Sequence, residues 1–243
     1  MLEHKNTRIL NQYLIHTQRD LLGELRSEIQ RSGIHKIVVL DDDPTGTQTV
    51  ANVPVYTGWD EESIKDIFAN EYLLNFILTN SRAFGEEKTV QVHQEIALNL
   101  KKSAAVTEKK YLLISRADST LRGHYPTETE VLRRELEKDN TICFDGEVIC
   151  PYFAEGGRYT IDNVHYVRYG SELIPAAETE FAKDETFGYH ESDLKKYIHE
   201  KTEGRFKEDE VVDISLEELS DIRINEIVSK LKAFQQDNCE CCK

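Results

Sequence analysis

Three carboxylates in a row, Asp41-Asp42-Asp43, follow the apolar run Ile37-Val38-Val39-Leu40 and precede Pro44-Thr45-Gly46. Neighbouring like charges raise one another's pKa, so three carboxylates at the end of a dry strand need a cation or a proton-handling task. The chemistry that suits them is removal of a proton from a substrate hydroxyl by a general base, with a neighbour holding the sugar or a magnesium ion. The bland reading is turn chemistry, because Asp, Pro, Thr and Gly are ordinary turn formers and Gly46 can supply a positive φ. The abrupt step from a wholly apolar strand into acid favours the functional reading, since ligands of open α/β sheets bind at strand carboxyl ends.

A second loop, Ser115-Arg116-Ala117-Asp118-Ser119-Thr120-Leu121-Arg122-Gly123-His124, carries two arginines, an aspartate and several hydroxyls, and Pro126 then opens a helix at its favoured first position. Helix starts attract anions, and an Arg fork grips a carboxylate through two hydrogen bonds. Asp118 is placed to orient Arg116 or Arg122, or the group simply caps the helix as a solvated ion pair. Arg82 in Thr79-Asn80-Ser81-Arg82 and Arg158 in Cys150-Pro151-Tyr152-Phe153-Ala154-Glu155-Gly156-Gly157-Arg158 extend the cationic set to other strand ends. His124 and His165 have no acid-base partner at a telling spacing and read as hydrogen-bonded structural residues.

The charge balance makes this arginine set informative. Asp and Glu total 45 against 30 Lys and Arg, a formal charge of -15. Such a field repels nucleic-acid phosphates and anionic lipid, which excludes both as partners. It also repels small anions, so a site for one needs a local reversal of sign, and the four arginines provide it. No apolar run approaches the roughly 20 residues of a membrane span and no leader pattern is present, so a cytoplasmic protein is expected. Of five cysteines, Cys143 and Cys150 flank a strand-like stretch as buried small hydrophobes would, and no disulfide framework is implied. The Cys239-Glu240-Cys241-Cys242 tail lacks a second ligand pair at zinc spacing, so no metal site is expected.

Apolar content of 39% over 243 residues is enough for one main core. Residues 6–31 have helical spacing, as one helix or two, and Gly33 stops the run. Strands are expected at 37–40, 53–57, 72–79, 110–115 and 141–150, with helices near 61–69, 87–106 and 126–138 between them. This alternation predicts an α/β fold: a doubly wound, mostly parallel sheet flanked by helices, with a smaller extension after residue 158. The polar loops would then follow strands on one sheet edge. Beyond it, 158–167 resembles a β-hairpin, 193–200 and 216–234 look helical, and 211–214 has strand character. The expected organisation is an N-terminal helical segment at 1–34, an α/β domain at 35–236 with an extension or lid at 159–236, and a tail at 237–243.

The strings Asp41-Asp42-Asp43-Pro44-Thr45-Gly46-Thr47-Gln48, Thr79-Asn80-Ser81-Arg82, Arg116 to His124 and Pro151 to Arg158 together resemble the four-carbon acid sugar kinase family, and more narrowly its amino-terminal sugar-binding domain. The likeness runs from Ile37 to Glu178-Thr179-Glu180-Phe181 and Asp184, and Asp118-Ser119-Thr120-Leu121-Arg122-Gly123 is its most specific part. It implies ATP-dependent phosphorylation of acids such as threonate and erythronate by two α/β domains, the second of which binds the nucleotide. By this likeness ATP and Mg2+ are the cofactors, in-line attack of a hydroxyl on the γ-phosphate is the reaction, and Asp41 or Asp42 is the base. Arg82 and Arg116 would hold the carboxylate, and Asp118, Ser119 and Arg122 the sugar hydroxyls. Asp43, Thr45, Gly46, Ser81, Gly123 and Arg158 complete the implied substrate site. No glycine-rich phosphate loop is present, and Gly204 is the sole glycine after residue 188, so a nucleotide-binding domain or subunit supplied separately is the expected partner. An oligomer is left open.

Two other readings have different chemistry. A non-catalytic sugar-acid-binding module, or a degenerate remnant, would keep the ligand and lose turnover. A haloacid-dehalogenase-like phosphatase would use Asp41 as nucleophile and Asp43 as acid, but Pro44-Thr45 replaces the usual Gly-Thr and no later strand ends in the acidic pair that completes its magnesium site.

Overall fold

The computed structural model describes residues 2–13, 19–139 and 142–238. In chain order its strands are β1 (Lys5–Asn6), β2 (Ile34–Asp41), β3 (Val55–Tyr56), β4 (Leu74–Leu78), β5 (Lys110–Arg116), β6 (Arg158–Ile161), β7 (Val164–Tyr169) and β8 (Glu172–Pro175). Its α-helices are α1 (Leu21–Ser32), α2 (Glu61–Ala69), α3 (Glu86–Thr107), α4 (Thr127–Glu137), α5 (Leu194–Lys201), α6 (Leu216–Ser220) and α7 (Ile224–Asn238). They divide into two compact units, one of Gln18–Asp118 and Gly123–Ile142, the other of Met1–Thr17, Ser119–Arg122 and Cys143–Lys243.

The first unit is a parallel sheet in the order β3-β4-β2-β5, flanked by helices as the alternating pattern predicts. Val38, Val39 and Leu40 of the central strand β2 are all buried, which is why that strand reads as a continuous apolar run and not as an alternating one. Helix α2 starts where the Asp60 carboxylate accepts from the Glu62 and Ser63 amides at 3.0 and 3.1 Å. It buries Ile64, Ile67 and Phe68, one helical face, and α3 packs against both α2 and α4. Helix α1 ends at Gly33, whose φ of 71° is the left-handed conformation glycine adopts without strain. At the amino end of β2, buried Lys36 donates from Nζ to Asn70 O, Asn70 Oδ1 and Tyr72 O at 2.6, 2.9 and 2.7 Å, so its hydrogens are satisfied without a counter-ion.

The second unit carries an antiparallel sheet in the order β1-β8-β7-β6. The expected hairpin is present: β6 and β7 pair from Arg158↔Val167 to Ile161↔Val164, and the two turn residues Asp162 and Asn163 have φ of 50° and 65°, as a two-residue hairpin requires. Ile161, Val164, Tyr166 and Leu173 form its core, with Ile9, Leu10, Tyr13, Tyr159 and Leu216 packed against them. The short piece Ser119–Arg122 is held in this unit by its carbonyls. His165 Nε2 donates to Ser119 O at 2.8 Å, Tyr189 Oη to Thr120 O at 2.8 Å and Tyr197 Oη to Leu121 O at 3.0 Å.

Several expected elements differ. Residues 142–150 form no strand and Cys143 and Cys150 are exposed, because Asp145-Gly146-Glu147 interrupts the apolar run with turn-forming and charged residues. The parallel sheet therefore has four strands among the described residues, and Arg158 opens β6 of the antiparallel sheet instead of following a fifth parallel strand. Residues 211–214 form no strand, and the helical run expected at 216–234 is split into α6 and α7 at Ile222, whose φ is 56°. The run at 6–31 is a 3-10 turn at Thr7–Tyr13 and then α1. Leu14, Thr141 and the Cys239–Cys242 tail lie outside the described residues.

Candidate functional site

In the parallel-sheet unit the carboxyl ends of β4, β2 and β5 lie side by side, with Asp41 in register with Leu78 on one flank and Arg116 on the other. The chain leaving β2 is tied to both neighbours, since Asp42 N donates to Arg116 O at 3.2 Å and Thr79 N to Asp41 O at 2.9 Å. After β4, Asn80 takes a left-handed conformation (φ 55°), which a short polar side chain tolerates. That turn brings Arg82 back so that its own amide donates to Asp42 O at 3.2 Å.

Each buried aspartate is answered by one arginine. Asp42, 2% exposed, accepts two hydrogen bonds from Arg82, Nε to Oδ2 at 2.9 Å and Nη2 to Oδ1 at 2.6 Å. Asp41, equally buried, accepts from Arg116 Nη1 at 3.1 Å. Arg82 Nη1 also lies 3.6 Å from Asp43 and 4.0 Å from Asp118. The cation that three adjacent carboxylates demand is thus supplied by the arginines of the neighbouring strand ends. Asp118 faces Arg82, a partner the sequence reading did not offer it.

Burial and charge separate the three aspartates. Loss of hydration raises Asp42 to about 6 against the pull of Arg82, and the charges of Glu128 and Asp41 push the same way. Burial also raises Asp41, opposed by Arg116. Asp43 is lowered, chiefly by the Thr45 hydroxyl, which donates to its Oδ1 at 2.5 Å, as does the Thr45 amide at 2.9 Å. The turn chemistry of Asp43-Pro44-Thr45 is therefore real, and it leaves Asp43 as the ionised, accessible member of the trio.

Two glycines of the motif loops are there for close approach. A Cβ on Gly46 would sit 1.6 Å from Asp41 Oδ2, and one on Gly123 (φ 144°) would lie 3.1 Å from the Ala117 Cβ and 3.6 Å from Asp42 Oδ2. Two residues that sequence reasoning passed over support the same loops. The Thr79 hydroxyl donates to Asp41 O at 2.9 Å, and the carboxylate of buried Glu128 accepts from Ser81 Oγ at 2.6 Å. Pro126 is the N-cap residue and not the first helical position, so the first turn of α4 carries the chain's own Glu128 carboxylate where an external anion was expected. The sequence signal for Glu128 was its place two residues after Pro126 in a helix start. His124 is structural, its Nε2 meeting Ser81 O at 3.2 Å and Phe84 O at 3.0 Å.

The remaining motif residues lie in the antiparallel-sheet unit. Arg122 and Arg158 both stack on the Phe181 ring, their guanidinium carbons 5.2 and 5.5 Å from its centroid. Arg122 Nη1 lies 3.7 Å from Asp184, and the Nε of Arg158 is buried without a hydrogen bond. Ser119 is placed by its carbonyl on His165. The unit thus joins the Arg122 loop, the Arg158 strand and the Phe181–Asp184 segment, three pieces far apart in the chain.

A family model described as a sugar-binding N-terminal domain matches residues 37–242. No curated protein matches. Among solved structures, a domain of unknown function from Bordetella bronchiseptica, crystallised with bound citrate as a domain-swapped dimer, is 23% identical with a TM-score of 0.48, over 67% of this chain and 39% of that one. A Salmonella typhimurium LT2 protein provisionally named a tRNA synthase is 18% identical with a TM-score of 0.50, over 69% of this chain and 38% of that one. The chain spans about two fifths of the length of either.

Proposed function

The chain belongs to the family of sugar-binding N-terminal domains, and on that premise we propose that it is the acid-sugar-binding portion of an ATP-dependent kinase acting on a four-carbon sugar acid of the threonate or erythronate type. The observation that carries this reading is the pair of arginines, Arg82 and Arg116, each held by a buried aspartate at adjacent parallel strand ends. Their side chains remain 20% and 29% exposed, so a carboxylate can reach guanidinium groups whose orientation has already been set. Such preorganisation lowers the entropy cost of binding. Asp43 and Thr45 offer acceptor and hydroxyl groups to the polyol, with Asp118 and Gly123 beside them in this unit. Asp42, at about 6, titrates where a general base works, and its carboxylate becomes available when Arg82 turns to an incoming anion.

The donor set does not fit a nucleotide-metal centre. No cluster of three His, Cys, Asp or Glu side chains able to hold a metal ion occurs among the described residues, and Asp41 and Asp42 are already neutralised by arginine. ATP and Mg2+ are accordingly assigned to a nucleotide-binding domain or subunit beyond these residues. The phosphatase reading needs an open Asp41 nucleophile, and burial under Arg116 speaks against it. Among the described residues no helix is long and apolar enough to cross a membrane.

Calorimetric titration of threonate, erythronate and ATP, each separately, tests the proposal. Binding of a sugar acid without ATP supports an acceptor domain whose phosphate donor is held elsewhere. ATP binding by this chain overturns the division of labour, and no binding of any sugar acid overturns the substrate class.

A further inference from the structure

Behind the Arg82–Asp42 pair lies a buried polar cluster that the substrate reading does not use. Glu128, 3% exposed, accepts the Ser81 hydroxyl at 2.6 Å, and Ser81 Oγ is 3.1 Å from Thr79 Oγ1, whose hydroxyl donates to Asp41 O. On the other side, His93 Nε2 lies 3.8 Å from Glu128 Oε1. His93 Nδ1 is 2.8 Å from Thr89 O, and because a carbonyl only accepts, Nδ1 carries the hydrogen. Glu128 therefore ties α4 to the turn that presents Arg82.

A neutral amide would accept the Ser81 hydroxyl equally well, whereas a carboxylate is costly to bury. Ser81, which Glu128 holds, directly precedes Arg82, the partner of Asp42, so the Glu128 charge also acts on Asp42. The groups acting on Asp42 are Arg82 from the turn after β4, Glu128 from α4 and Asp41 from its own strand, and Asp43 and Asp118 share Arg82 with it. We propose that Glu128 is the positioning residue of this site, fixing the Thr79–Arg82 turn through Ser81 and setting, by its negative charge, how firmly Asp42 claims the Arg82 guanidinium. This rests on the reading that Arg82 receives the acid's carboxylate. Below about pH 6 Asp42 takes up a proton, and the guanidinium it releases then faces the ligand. Sugar-acid binding is consequently tighter below the Asp42 midpoint than above it.

The full chain with Glu128→Gln keeps the acceptor for Ser81 and removes the charge. Carboxyl-carbon NMR across pH 4 to 8, with the Asp42 signal identified by its loss in Asp42→Asn, is expected to show the Asp42 midpoint lowered by about half a unit or more in Glu128→Gln. Ser81→Ala, which keeps the charge and cuts the hydrogen bond, is expected to leave that midpoint in place while weakening threonate binding. In calorimetry at pH 6, Glu128→Gln should raise the threonate Kd about twofold, as the protonated fraction of Asp42 falls from about one half to about one quarter. An unmoved Asp42 midpoint in a folded Glu128→Gln variant overturns the proposal. Absence of threonate and erythronate binding to the parent chain overturns the substrate reading instead, and the NMR midpoint still decides the role of Glu128.

Discussion

Replacing Asp42 with Asn tests whether burial or the arginine governs the site. Asp42 rises from 3.8 to about 6, roughly two units, although Arg82 grips both its oxygens. Between those two values the native state holds a proton at Asp42 that the unfolded chain has released. Native stability therefore falls as pH rises through this window, at about 1.36 kcal/mol per unit, and by pH 7 about 2.5 kcal/mol has been lost relative to pH 4. Asp42→Asn keeps the shape and one acceptor for Arg82 but cannot titrate, so it lacks this loss. The quantity to measure is the stability difference between variant and parent, from urea unfolding followed by circular dichroism at pH 4, 5, 6 and 7. It should shift in the variant's favour by about 2.5 kcal/mol from the lowest pH to the highest. Contributions from other titrating groups appear in both proteins and cancel to first order. A difference that stays flat with pH, or that shifts in the parent's favour as pH rises, refutes the reasoning, because it would mean that Arg82 outweighs the loss of hydration.

Arg116→Ala leaves Asp41 buried beside an empty place; threonate binding should vanish in calorimetry and stability at pH 7 should drop by about 3 kcal/mol in urea unfolding. Gly46→Ala forces a methyl onto the Asp41 carboxylate, so a stability loss of about 1–3 kcal/mol is expected together with weaker sugar-acid binding, both read on the same purified variant. Lys36→Met keeps most of the buried stem but strands the carbonyls of Asn70 and Tyr72; a loss of about 1–3 kcal/mol with threonate affinity unchanged is expected. Phe181→Leu removes the ring on which Arg122 and Arg158 stack and should cost about 0.5–2 kcal/mol by thermal or urea unfolding.

Local pattern carried much of this protein. The apolar run before Asp41 marked a strand covered on both faces, the spacing of Ile64, Ile67 and Phe68 marked α2, and the motif strings pointed to the family that the match over residues 37–242 shows. These features depend on neighbours in sequence, on periodicity and on turn chemistry, so a single chain displays them. The strand expected at 141–150 does not form over 142–150, where Asp145-Gly146-Glu147 interrupts the apolar run. The four arginines could be picked out by type, but not their partners: Arg82 reaches Asp42 across 40 positions and Arg116 reaches Asp41 across 75. The assignment of Arg122 and Arg158 to a Phe181 ring in a second unit was equally hidden. Glu128 escaped notice for the same reason, since an acid in a first helical turn is ordinary and only burial against Ser81 and His93 makes it unusual. Sequence by itself singled out the aspartates and arginines that follow the parallel strands. Tertiary structure decided which were buried and which charge answered which, because desolvation and ion pairing depend on atoms brought together from distant parts of the chain.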